Sequence, residues 1–110
     1  MTISRDMNEI KVKVLNAIRN CASFDLPIQA SELRSITGLT KRALEEVIES
    51  LRVNFKHPIV AKKTQPSGYY LPRNEDERQA GIAPYRRQIQ TEQKNLVAVM
   101  QIDLEEYWKA

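Results

Sequence analysis

Cysteine and histidine occur once each, and glycine three times, in 110 residues, and these scarcities exclude chemistry before any pattern is read. A single thiol, Cys21, has no partner for an internal disulfide, and its place in an apolar helical pattern predicts a buried, inert side chain. His57, between Lys56 and Pro58, has no second soft ligand at a metal-like spacing, so it is read as a surface or capping residue and no metal ligand is assigned. The few glycines form no phosphate-binding loop, and covalent catalysis has little to work with. Adjacent carboxylates at Glu45-Glu46 and Glu105-Glu106 lie about 100° apart on a helix, which makes them solvated faces and not an acid–base pair. No catalytic residue, enzyme activity or cofactor is expected. No apolar run approaches membrane-spanning length, and Met1 to Asp6 lack an apolar stretch behind a basic head. The expectation is a cytoplasmic protein with no membrane partner.

What is present is an ordinary globular composition, 42% hydrophobic and 28% charged, on a length that suits one core or one core with an appendage. The net charge of +3 is unevenly spread. Residues 1–73 hold 12 basic and 7 acidic groups, or +5, whereas residues 74–110 hold 5 and 7, or −2. The first part could meet a polyanion.

Helical spacing appears first at Met7, Ile10, Val14, Ile18 and Cys21, widened by Leu15 and Ala17, with Ser4 or Asp6 as the cap. Ser23 and Asp25-Leu26-Pro27 end it, because proline disfavours helical geometry in the residue before it. After an extended step at Pro27-Ile28-Gln29, Leu33 and Ile36 mark one face of a second helix, with Gln29 as a weak cap. Gly38 can take the left-handed conformation that closes this helix, and Thr40 caps a third from Lys41 to about Val53. Leu44, Val47, Ile48 and Leu51 form its buried face. Two helices joined by a three-residue turn with a glycine at the corner suit a helix-turn-helix.

Ile59-Val60-Ala61 and Tyr69-Tyr70-Leu71 read as two short strands joined by a turn from Lys62 to Gly68, with Tyr69 the tyrosine expected to pack on the helices. A hairpin placed directly after a helix-turn-helix is a wing. Residues 74–83 are read as a linker or short helix, and Pro84 opens a long helix that fills the chain to its end. Tyr85, Ile89, Leu96, Met100, Leu104 and Tyr107 lie along one stripe, with Val97 and Trp108 beside it and Gln93 interrupting it. At about 1.5 Å per residue this helix is about 37 Å long, more than a domain of that size can cover, so a second copy is the expected partner. Ile89, Leu96, Met100, Leu104 and Trp108 are the candidate self-association residues, and Trp108 is expected to be buried in that contact. The fold class is therefore mainly α with a small β-hairpin. It divides into a winged helix-turn-helix over 1–73 and an amphipathic helix over 84–110.

From Pro27 to Leu33, from Thr37 to Arg42 and from Gly68 to Pro72, the chain resembles the winged helix-turn-helix at the N-terminus of biotin-repressor-type regulators. It is also similar to small winged-helix proteins encoded in the early regions of phages of Gram-positive bacteria. The likeness spans roughly residues 8–73 and does not extend to residues 84–110. It implies a double-stranded DNA partner, with Thr40, Lys41 and Arg42 in the major groove and Lys62 and Lys63 on the wing. Cations at such positions neutralise phosphates with release of counterions, and an arginine near a helix start can reach guanine edges.

One feature departs from the pattern: Glu45, Glu46 and Glu49 follow Arg42 on the solvent face of the third helix. Glu45 can accept a hydrogen bond from a cytosine amine, yet three carboxylates oppose tight, undiscriminating binding to a polyanion. Lys41 with Glu45 and Arg42 with Glu46 can form helix-surface pairs of roughly 0.2–0.5 kcal/mol each. Two readings follow: a dimeric, sequence-specific DNA-binding regulator of transcription or replication, of phage or mobile-element type, or a protein-interaction module that docks on a replication or transcription protein.

Overall fold

The structure, a computed structural model, describes residues 8–109. Its elements run α1 (Glu9–Cys21), α2 (Ala30–Thr37), α3 (Lys41–Val53), β1 (Val60–Lys62), β2 (Gly68–Tyr70), α4 (Glu75–Gln101) and α5 (Leu104–Lys109). The chain is thus mainly helical, with one small antiparallel hairpin and a long C-terminal helix.

Local chemistry sets the helix bounds. Asn8 caps α1, its side chain accepting from the Lys11 N–H at 3.0 Å; Ser4, Asp6 and Met7 lie outside the described residues. Asn8 immediately precedes the first helical residue, Glu9, and offers the carboxamide oxygen that a free helical N–H needs. Gln29 stands at the α2 N-cap without a side-chain bond, and Gly38 closes α2 at φ 75°. Thr40 caps α3 by accepting from the Ala43 N–H at 3.1 Å.

The three helices enclose Val14, Leu15, Ile18, Leu33, Leu44, Ile48 and Leu51, all buried. Full burial of such a side chain stabilises by roughly 1.5–3 kcal/mol relative to exposure. Two expected core residues lie elsewhere. Cys21, in the last turn of α1, is exposed, because the helix ends before another element can cover it. Ile36 remains 42% exposed one turn after Leu33, since α2 is only eight residues long and presents one narrow face to its neighbours.

The strands sit one residue off the expected spans, β1 shifted later and β2 earlier. The backbone of Ile59 is committed elsewhere: its N–H donates to His57 O at 2.9 Å, and its carbonyl accepts from Arg52 Nε of α3 at 2.8 Å. The ladder therefore begins at Val60, which faces Tyr70, and ends with Lys62 opposite Gly68. Ile28 joins the other edge of β2, exchanging both backbone hydrogen bonds with Tyr69 at 3.0 and 2.8 Å. That pairing requires Gly68, where a Cβ would stand 2.5 Å from the Ile28 carbonyl oxygen. Tyr70, not Tyr69, is the fully buried tyrosine; burial pushes its phenol pKa up, and Phe24 packs edge-on against it at 5.4 Å. Tyr69 is half-buried against the helical core.

The C-terminal part differs most from expectation. Residues 75–83 are the first turns of α4, and Pro84 lies inside that helix instead of opening one. The start signal is Asn74 followed by Glu75, Asp76 and Glu77: Asn74 accepts from the Glu77 N–H, and Glu77 accepts from the Arg73 N–H, each at 2.9 Å. This reciprocal cap, with three acids at the positive end of the helix dipole, outweighs the single backbone bond that Pro84 removes. Hydrogen bonds from Arg78 and Gln79 hold the Glu75 carboxyl at about 2, below its ordinary 4.5. The helix stops at Ile102, which is extended, and Asp103 caps the separate α5 by accepting from the Glu106 N–H at 3.2 Å. The stripe from Tyr85 to Tyr107 is therefore divided between two helices.

The first turns of α4 dock on the hairpin. Tyr70 donates its hydroxyl to Glu77 O at 2.7 Å, and buried Gly81 lies directly over Tyr70 and Val60. Beyond Tyr85 every residue through Lys109 is exposed, and the protein extends 62 Å along its longest axis against 29 and 26 Å across.

Candidate nucleic-acid interface

The corner between α2 and α3 is held by its own hydrogen bonds. The Gly38 N–H donates to Arg34 O at 2.7 Å, Thr37 Oγ1 donates to Leu33 O at 2.7 Å and accepts from the Leu39 N–H at 3.3 Å, and Arg34 Nε donates to Leu39 O at 3.2 Å. Such a corner fixes the direction of α3, whose opening residues Thr40, Lys41 and Arg42 are exposed. Glu45, Glu46 and Glu49 follow on solvent-facing positions of the same helix.

Of the two expected helix-surface pairs, Arg42 with Glu46 is formed, at 3.4 Å between two largely exposed side chains. Lys41 and Glu45 come within no ion-pair distance among the described residues. A pair this exposed contributes little to stability and opens readily. Arg42 can therefore exchange Glu46 for another anion at small cost.

The two lysines expected on a wing are placed differently from each other. Lys62 is the last residue of β1, half-buried, with its ammonium 3.0 Å from Phe24 O and 4.1 Å from the Phe24 ring centroid. Lys63 is exposed just beyond the strand and reaches α4, where it donates to Gln88 Oε1 at 2.7 Å and lies 4.3 Å from the Tyr85 ring centroid. Lys62 thus ties the hairpin to the loop after α1, and Lys63 ties it to α4. Phe24, Tyr85 and Gln88 were not singled out from sequence as lysine partners, because separations of 38 and 25 residues leave no local pattern. Lys62→Ala is expected to lower stability by about 1–2 kcal/mol, through the lost charge-assisted bond and cation–π contact, and Lys63→Ala by less than about 0.5 kcal/mol. Urea unfolding of the two single variants checks this order.

The residues expected to mediate self-association are all exposed in the single chain. Ile89, Leu96 and Met100 lie on α4, with Leu96 at 58% exposure; Leu104 and Trp108 lie on α5. Trp108 is 77% exposed and makes an edge-to-face contact with Tyr107 at 5.1 Å, so within one chain it has none of the cover expected for it. No described helix is long and apolar enough to cross a membrane, and no group of three His, Cys, Asp or Glu among the described residues could hold a metal ion. Comparison of the chain with protein-family models, curated proteins and solved structures finds no match.

Proposed function

We propose that residues 8–73 are a winged helix-turn-helix that binds double-stranded DNA as a sequence-specific regulator, and that the chain acts as a homodimer held by its C-terminal helix. The observation that carries the reading is the hydrogen-bonded corner that presents the exposed start of α3, Thr40 to Arg42, with a two-stranded hairpin following α3 in the chain. In this reading Lys41 and Arg42 meet phosphates or guanine edges, Thr40 and Glu45 contact the groove, and Lys63 reaches a neighbouring phosphate. Lys62, the other wing lysine, is spent on Phe24. The exposed apolar stripe of α4 supports the dimer.

A second reading is favoured by the three exposed carboxylates on α3: the same face docks on a basic surface of a replication or transcription protein. One set of variants separates the two. Titrated by fluorescence anisotropy against random and genome-derived duplexes at two salt concentrations, Lys41→Ala with Arg42→Ala should weaken binding to all duplexes. It should also flatten the logarithmic salt slope by about one unit per lost phosphate contact. Glu45→Gln with Glu49→Gln should strengthen binding to random duplex more than to the true site, because two like charges leave the phosphate field. If wild type and both variants show no duplex binding while the glutamine variant loses a basic protein partner, the docking reading replaces the DNA reading.

A further inference from the structure

We infer that two copies pair through the exposed half of α4 in antiparallel orientation, about a two-fold axis that crosses the helix between Lys94 and Asn95. The inference rests on the homodimer proposed above and adds the geometry of its interface.

An isologous contact needs a surface complementary to itself under a two-fold rotation. The seam of α4 has that property. Ile89 and Met100 lie at equal distances on either side of the Lys94–Asn95 midpoint, and Gln93 and Leu96 do the same nearer to it. At 100° per residue all four fall within a sector of about 60°, with Val97 about 40° outside it. Antiparallel pairing sets each Ile89 against the partner's Met100, and each Gln93 against the partner's Leu96. The single polar position of the seam then faces an apolar one in both halves, and no central layer holds two glutamines.

Charge selects the same orientation. Arg86 and Arg87 stand at the base of the free segment, close to Lys63, whereas Asp103, Glu105 and Glu106, with Lys109 paired to Glu106, leave its tip net acidic. Parallel pairing would bring the two basic bases together and the two acidic tips together. Antiparallel pairing brings each base to the partner's tip, where opposite charges approach instead of like ones. It also places the two hairpin docks, each at Gly81, about 40 Å apart along the helix pair, leaving both α3 faces free.

The test is disulfide trapping in a Cys21→Ser background, which removes the exposed native thiol. Ile89→Cys and Met100→Cys are made singly, one chain carrying a tag that changes its mass, and each is oxidised alone and as an equal mixture. Both positions are exposed in the single chain, so neither substitution disturbs its core. Antiparallel pairing separates identical positions by about 16 Å along the axis, too far for a disulfide, and brings Ile89 and Met100 of different copies together. The expected result is a mixed-mass cross-linked dimer at least about tenfold more abundant than either self-linked product, because only that pair meets the Cα spacing of a disulfide. Efficient linking of each variant to itself overturns the antiparallel geometry and leaves a dimer. Sedimentation of the full chain as a monomer at tens of micromolar, with no linked product, overturns the dimer itself.

Discussion

Gly81→Ala is expected to lower the stability of the protein by about 2 kcal/mol, although the same change on an open helix surface raises it by about 1 kcal/mol. The reversal of sign follows from what lies under Gly81. An added Cβ would overlap the Tyr70 hydroxyl and stand 2.7 Å from Val60 Cγ1. Tyr70 cannot retreat, because it is fully buried, packed against Phe24, and bonded to Glu77 O at 2.7 Å. Either α4 lifts from the hairpin or the Tyr70 bond breaks, and both outcomes expose apolar surface now shared by Val60, Tyr70 and the helix. Tyr70→Phe alone should cost about 1 kcal/mol through the lost hydrogen bond. It also removes the atom that the new methyl strikes, so in that background the cost of Gly81→Ala should fall by about 1 kcal/mol. The double-mutant cycle, read by urea unfolding with circular dichroism, therefore reports the docking directly. A stabilising Gly81→Ala would mean that α4 does not sit on Tyr70 in solution.

This docking is also where sequence and structure part most clearly. The periodicity of Leu44, Val47, Ile48 and Leu51, with Thr40 as cap directly after the Gly38 stop, makes α3 legible from Lys41 to about Val53, since one buried face and a defined start allow little else. The hairpin was legible in kind but one residue off, because Ile59 gives its carbonyl to Arg52 of α3, a tertiary bond with no local trace. In the C-terminal part Pro84 has the chemistry of a helix opener, but the stronger start signal is Asn74 with three acids behind it. Gly81, within the span read as a linker or short helix, is the close-approach point of a regular helix. The break at Ile102-Asp103 was written in Asp103 and Glu106, a capping pair hidden within a continuing apolar rhythm. In the candidate interface the exposed start of α3 could be read from the pattern, whereas the partners of Lys62 and Lys63 could not.

In the proposed homodimer, Leu96→Glu is expected to give monomer, and Ala98→Glu to leave the pairing intact. Both residues are exposed in the single chain and both substitutions add one carboxylate to the same turn, so net charge changes alike, and any helix-propensity loss falls on Ala98→Glu, the variant expected to keep the pairing. Only position 96 lies on the proposed seam; position 98 is on the far side of α4, about 160° around the helix from it. At the seam each glutamate would lose water against the partner's helix with no cation in the central layer, and two of them enter every dimer. A cost of about 2 kcal/mol apiece amounts to about 4 kcal/mol, close to a thousandfold in Kd. Sedimentation of the three proteins at micromolar concentration should then show dimer, monomer and dimer for wild type, Leu96→Glu and Ala98→Glu. Leu104→Glu resolves the part played by α5, which the extended Ile102 separates from the seam. If the stripe works as one surface, Leu104→Glu also yields monomer. If α4 alone carries the contact, Leu104→Glu weakens association by less than about tenfold, since Leu104 then adds contact only at the interface rim. A wild-type chain that sediments as a monomer, unchanged by Leu96→Glu, would leave the apolar face of α4 to a different protein and end the homodimer reading.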